Sequence, residues 1–332
     1  MPYTDEVFPE QAIGAWLDAT GIAPGAPLTF ERIAGGRSNV MFRVARGDRR
    51  LVLRRPAKVA IEKANDGIRR EYRVLTALAD TDVPHPEAIA LCDDPEVIGC
   101  VFYVMEEVEG TPATGLPPEL GPPETVRPAV TFALTDALAA LHDVDWRANG
   151  LTDFGRPEGF HERQVDRWTS QFRSYGGREQ PQVAIVGAWL QRHLPDAWSP
   201  TIMHADYHML NVIIAPDLPV RVAAIVDWET ATIGDPLLDL AGFCEVWCGA
   251  YAGDGWPDRA EIIDRYAERR GLTSMPDLTY YEVLYNFRLG ILLEGVFHRS
   301  TQDPSRADDD LAGDRALHNL DRAAALVAAA GD

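Results

Sequence analysis

The sequence predicts an α+β protein in two lobes, a small antiparallel β-sheet with one helix followed by a larger, mainly helical part. Three observations carry this. From Leu28, the segments LTFERIAGG, SNVMFRVARG and RRLVLRRP follow closely, bounded by Gly-Gly, Gly-Asp and Pro, which are turn residues between antiparallel strands. Residues 111–128, TPATGLPPELGPPETVRP, hold six prolines and read as a connection at or just past a lobe boundary. Beyond them, most segments repeat their apolar residues at helical spacing. The expected division is therefore 1–107 and 108–332.

Each element follows from its own pattern. Residues 12–20 read as a short helix, and the three strands come next. IEKANDGIRREYRVLTALAD is helical, with Ile68, Tyr72, Leu75 and Leu78 on one apolar face. VIGCVFYVMEEV is a further strand. After the prolines come the helices TFALTDALAALHDVD, EGFHERQVDRWTSQFRSY and VAIVGAWLQRHL. Two short strands, NVIIA and VRVAAIVDW, are joined by a turn containing proline. Helices return through LLDLAGFCEVWCGAYA, RAEIIDRYAERRG and YYEVLYNFRLGILLEGVFHRS.

Composition narrows the function. The net charge of −20 argues against nucleic acid or an anionic membrane as the main partner. No apolar run is long enough for a membrane span, because Asp136 and Glu294 interrupt the best candidates. MPYTDEVFPEQ lacks the basic-then-apolar pattern of a secretory signal, and the four cysteines do not make a dense disulfide framework, so a cytoplasmic setting is expected. Cys244 and Cys248 share a helix face and read as buried thiols. The charge is uneven: residues 32–73 carry thirteen Lys or Arg against four acids, a net +9, leaving −29 elsewhere. Such an island suggests a region that handles an anion; a solvated basic surface is the alternative.

HADYHMLN, residues 204–211, places His204, Asp206 and Asn211 in the spacing H-x-D-x-x-x-x-N of a kinase catalytic loop. Asp206 can orient a hydroxyl and accept its proton as the oxygen attacks phosphorus. Asn211 offers a neutral oxygen to Mg²⁺. His204 suits holding the loop. A tight hairpin of NVIIA and VRVAAIVDW would bring Asp227 beside Asn211 and supply charge for the metal.

With these residues in place, the chain resembles the aminoglycoside phosphotransferase family of the protein-kinase-like superfamily, from about Phe30 to Arg299. The resemblance implies the protein-kinase-like fold and the cofactors ATP and Mg²⁺. IAGGRSNVMFRV is similar to the family's phosphate-covering hairpin, which implies Ser38 and Asn39 near the nucleotide phosphates. LVLR occupies the strand that ends in the phosphate-binding Lys, and Glu71 matches that residue's helix partner. Here the chain departs from the pattern, with Arg54 at the Lys position. FYVMEEVEG resembles the inter-lobe hinge, implying adenine contacts from Glu106 to Val108. GDPLLDLA implies that Asp235 and Asp239 brace the catalytic loop. HADYHMLN departs again, with Ala205 where Gly is usual and Leu210 where Asp is common. VLRRP, GLTDFGRPEGFHERQVDRW, IVDWETATIGDPLLDLA and YNFRLGILLEGVFHRS resemble more closely the phosphotransferase domains fused to acyl-CoA dehydrogenases, a branch associated with hydroxyacyl-CoA compounds.

The expected function is ATP- and Mg²⁺-dependent phosphorylation of a hydroxyl on a small molecule, a hydroxyacyl-CoA or an aminoglycoside-like acceptor. His208, Glu229 and Trp168 are candidate acceptor contacts. For Trp168, with Phe172 and Tyr175, helix-core packing is the competing reading. Two other functions compete: a nucleotide-binding regulator with little catalysis, motivated by Arg54, and a metal hydrolase using His204, Asp206, His208 and Asp227.

Overall fold

The apolar face of one helix explains how the first part of the chain is assembled. In α2 (Glu62–Leu78), Ile68, Glu71, Val74, Leu75 and Leu78 are buried at successive turns. The carboxylate of Glu71 is thus carried inward by its apolar neighbours. The computed structural model describes residues 9–33, 39–57, 62–116, 118–251, 253, 255–302 and 311–331. They form two compact units, the first made of 1–122, 146–151 and 209–231, the second of 123–145, 152–208 and 232–332.

In the first unit, α1 (Glu10–Ala19) precedes three strands, β1 (Leu28–Ile33), β2 (Asn39–Arg46) and β3 (Arg49–Pro56). After α2 come β4 (Ala88–Cys92) and β5 (Phe102–Glu106). All neighbours pair antiparallel, in the order β1-β2-β3-β5-β4. Ile13 and Leu17 of α1 bury against Phe42, Leu53, Phe102 and Val104, at about 1.5–3 kcal/mol for each large apolar side chain removed from water. The strand β6 (Thr111–Pro112) forms a second, three-stranded sheet with β8 (Val212–Ile214) and β9 (Val222–Ile225). The last two are the expected hairpin, registered Val212 to Ile225. Gly110 is required just before β6: its φ is +148°, and a Cβ there would run into the Ile214 carbonyl.

In the second unit, α3 (Pro123–Asp143), α4 (Gln164–Tyr175) and α5 (Pro181–Arg192) are followed by β7 (Thr201–Met203). This pairs antiparallel with β10 (Thr232–Gly234). Then come α6 (Pro236–Tyr251), α7 (Arg259–Arg269), α8 (Thr279–Gln302) and α9 (Leu311–Ala330). A capping box at Asp258 and Glu261 starts α7. Close packing of α8 on α9 depends on Gly290, where a Cβ would lie 2.8 Å from Leu320.

The proline-rich connection is shorter than the sequence suggests. Helix α3 starts at Pro123, where the missing N–H has no partner to lose, and runs on through Pro128 in its second turn. Among the described residues no helix is long and apolar enough to cross a membrane. The four cysteines are free thiols.

Candidate active site

The first unit holds a cleft of about 700 Å³. Asn39 at the start of β2, Arg54 on β3, Glu106 and Val108 at and after the end of β5, and Asn211 and Asp227 at the two ends of the β8–β9 hairpin all line it. Four separate segments of sequence therefore bring their candidate residues to one cavity. Val52, Met105 and Ile213 give it an apolar wall. Ser38 lies outside the described residues.

Arg54 is the centre of the site. Its Nε and Nη2 each donate to an oxygen of Glu71 at 2.7 Å, and Nη2 also donates to Asp227 Oδ1 at 2.5 Å. Glu229 Oε2 lies 3.8 Å from the same nitrogen and accepts from Asn39 Nδ2 at 3.0 Å. Strand register sets this up, because β3 faces Met41 on one side and Tyr103 on the other, leaving the Arg54 side chain to meet α2. A planar fork can hold both Glu71 oxygens while its outer nitrogen serves Asp227; a lysine ammonium has no such geometry. Burial pushes the Glu71 carboxyl up to about 7, against the pull of Arg54. Burial disfavours the Arg54 cation, but Glu71, Tyr103 and Asp227 outweigh it and hold Arg54 above its ordinary range.

Carboxylate oxygens of Glu71, Asp227 and Glu229 lie within 4.8 Å of one another. Asp227 sits in the left-handed region, φ +69°, an uncommon conformation for a residue with a side chain, and one that sends the chain from β9 sharply into the turn beyond. The Asn211 carbonyl accepts from Val226 N at 2.9 Å, which pins the two ends of the hairpin together. Glu106 N–H is already donated to Glu87 O at 2.9 Å, so Glu106 can offer a ligand only its carbonyl on the main chain.

The second unit carries the loop. Asp239, on α6, accepts from His204 N at 2.7 Å and from Ala205 N at 2.9 Å. On the other side, Arg288 of α8 donates to the Ala205 carbonyl. Ala205 adopts φ +64°, which is the physical reason glycine suits this position. Asp235 acts elsewhere: Oδ1 accepts from Leu237 N at the start of α6, and Oδ2 receives Tyr281 Oη at 2.8 Å and His161 Nε2 at 3.0 Å. No bond joins it directly to the loop among those described.

His208 Nε2 lies 3.6 Å from Asp206 Oδ2. Burial raises the Asp206 carboxyl, but His208, then His204 and Arg288, outweigh it and hold the group below its usual range. Trp168 is 5% exposed and donates to Gln164 Oε1 at 3.0 Å, so its indole is mostly a packed helix residue. His142, unremarked in the sequence, is buried between Tyr266 Oη at 2.7 Å and Asp239 Oδ2 at 3.5 Å. Burial lowers its pKa against the opposing effect of Asp239.

This combination of a five-stranded antiparallel sheet, a buried strand–helix ion pair and a cleft lined by Asn211 and Asp227 is that of a protein-kinase-like phosphotransferase. The sequence profile described as "Phosphotransferase enzyme family" matches residues 29–278, and the chain belongs to that family. It is 31% identical, with a TM-score of 0.79, to a protein of Ralstonia eutropha JMP134 whose crystal structure is described as that of a "putative aminoglycoside phosphotransferase"; the match covers 95% of this chain and 98% of that one. It is also 32% identical over 315 residues to acyl-CoA dehydrogenase family member 11 of Homo sapiens, covering 90% of this chain and 40% of that protein. A similar match, 30% over 312 residues, is to acyl-CoA dehydrogenase family member 10 of Mus musculus, covering 88% of this chain and 28% of that protein. The chain thus spans well under half the length of these two curated relatives. A macrolide 2'-phosphotransferase type I, 19% identical with a TM-score of 0.64 over 92% of this chain and 96% of that one, shares the fold.

Proposed function

We propose that the chain is an ATP- and Mg²⁺-dependent O-phosphotransferase that acts on a hydroxyl of a small molecule, in a cytoplasmic setting, with the functional division of the chain at 107/108. The observation that carries the reading is the convergence of Asn39, Arg54, Asn211 and Asp227 on one cleft with an apolar wall. The apolar wall suits adenine, with the Glu106 carbonyl and Val108 backbone at its edge. Arg54 and Asn39 then face the phosphates, and Glu71 holds the Arg54 fork in its orientation.

The donors fit Mg²⁺: Asp227 carboxylate, Asn211 amide and the nearby Glu229 carboxylate are hard oxygens, and the acids around Arg54 outnumber that one cation. Bound by Asn211 and Asp227, the ion would neutralise charge on the transferring phosphoryl group. Asp206, held ionised beside His208, orients the acceptor hydroxyl and takes its proton as the O–P bond forms. His204 and Ala205 are held by Asp239, which fixes the direction of the Asp206 main chain.

The acceptor is a hydroxyacyl-CoA in preference to an aminoglycoside, a reading supported by curated relatives at 30–32% identity that carry acyl-CoA dehydrogenase names. The regulator and hydrolase alternatives have no structural observation in their favour. Thermal unfolding with ATP and Mg²⁺ tests the reading directly. Nucleotide at about a hundred times its Kd stabilises by roughly 2.7 kcal/mol. The stabilisation should require Mg²⁺ and shrink in Asp227→Ala; ATP with no effect at millimolar concentration would remove the proposal.

A further inference from the structure

Two arginines stand together beside the Asp206 loop, Arg288, which also holds that loop, and Arg167, which has no role above. Helices α4 and α8 bring Arg167 and Arg288 to the same indole: their guanidinium carbons lie 4.8 and 5.8 Å from the Trp168 ring centre. Arg163, one turn before Arg167, spends its guanidinium on the carbonyls of Glu158 and Arg156. Arg288 spends one nitrogen on the Ala205 carbonyl. Among the described residues neither Arg167 nor Arg288 has a carboxylate in ion-pair contact. Other arginines, Arg43, Arg46, Arg69, Arg178, Arg259, Arg265 and Arg322, sit on Asp or Glu.

In a protein of net charge −20, carboxylates are plentiful, so like charges left together without one are a feature to be explained. The crowding is felt: burial and then the charges of Arg288 and Arg163 lower the Arg167 pKa. A guanidinium over an aromatic face with its edge nitrogens unused is preorganised for an oxyanion, and its planar fork matches carboxylate or phosphate. Arg288 donates to the carbonyl of Ala205, the residue before Asp206, which places the cluster beside that loop.

We infer that Arg167 and Arg288, both beside the Trp168 indole, form the subsite that binds an anionic group, carboxylate or phosphate, of the phosphoryl acceptor. This deepens the phosphotransferase reading and rests on it for the word acceptor; the anion site itself does not. It selects negatively charged acceptors and works against polycations, whose ammonium groups would meet unneutralised guanidinium. Arg167 is the cleaner probe because it is exposed and, unlike Arg288, does not hold the loop.

The test is equilibrium binding by calorimetry, without nucleotide, of coenzyme A, of 3-hydroxybutyrate and of kanamycin to the full chain and to Arg167→Gln and Arg167→Lys. Loss of one charge-assisted hydrogen bond should weaken the anion roughly ten- to a hundredfold in Arg167→Gln. Arg167→Lys should recover part of that, and added salt should weaken wild-type binding. Saturable binding of either anion with this pattern supports the site. Binding of coenzyme A alone assigns the anion to a nucleotide-bearing thioester, whereas binding of hydroxybutyrate assigns it to a free acid. The inference is overturned if both anions bind Arg167→Gln as tightly as wild type, if neither binds saturably at millimolar concentration, or if kanamycin binds better than both. Absence of phosphoryl transfer to any acceptor would instead count against the enzyme reading, and the binding data would stand apart from it. Mg·ATP stabilisation, measured on each variant, checks that the nucleotide cleft is intact.

Discussion

In the first unit a single guanidinium, Arg54, serves Glu71 and Asp227 with Glu229 close by; in the second, Arg167 and Arg288 share an indole and, among the described residues, contact no carboxylate. The two regions carry opposite surpluses. Unmatched charge of one sign favours a ligand of the other, so each surplus points to the sign of what would bind there. Around Arg54 the excess is negative and suits a divalent cation. Around Trp168 it is positive and suits an oxyanion. Counting charges along the chain gives a different answer, because it places the positive excess at residues 32–73.

The largest effect should come from Asp206, the carboxylate on which Arg288 acts. Asp206→Asn should reduce acceptor phosphorylation by about 10²–10⁴-fold in a steady-state assay while leaving Mg·ATP stabilisation in place. Unchanged turnover in a folded variant would break the assignment of the two regions to metal and acceptor. Next is Arg54→Ala, which leaves the buried Glu71 without its partner and should cost about 3–5 kcal/mol in denaturant unfolding. Arg54→Lys should fall between the variant and wild type, since it restores the charge without the fork. An Arg54→Ala protein as stable as the parent would show that the negative surplus is relieved in another way.

Smaller effects sharpen the account of the loop. Ala205→Gly removes a Cβ from a left-handed residue and should raise stability by up to about 1 kcal/mol, read from the urea midpoint. His142 gives a pH effect of defined sign. Its folded pKa is lowered, so the folded protein binds fewer protons than the unfolded chain below the ordinary value of 6.5. Its contribution to stability is full above that value and is lost as pH falls through it. His142→Gln should flatten the dependence between pH 7 and pH 5, monitored by melting temperature at about unit intervals.

Much of the fold was legible because its signals are local. Gly-Gly, Gly-Asp and Pro punctuate β1 to β3, and the apolar face of α2 is periodic. The hairpin carrying Asn211 and Asp227 was legible for the same reason. Strands β7 and β10 were missed, since three residues are too few to show alternation. Strand β4, AIALC, was also missed, because all but its last residue are half-buried and alternation is lost. Part of the basic island is matched by acids that are distant in sequence: Arg43 meets Glu107, Arg46 meets Asp18 and Arg69 meets Asp93. The pair at Arg167 and Arg288 could not be seen in sequence, because it exists only where α4 and α8 pack. Asp239 came from resemblance; its two backbone bonds came from the structure.

The grip on Ala205 has a consequence for how the protein fails. Its N–H is held from α6 and its carbonyl from α8, so the loop should soften together with those helices. Heat inactivation and melting of the helical unit should coincide, and a lost activity should return only with that unit's helices. Small misfits far from the loop would act through the same grip. At Gly242 on α6 an added Cβ would strike Tyr285 of α8 at 2.5 Å, and the displaced helices would carry the loop's peptide groups with them.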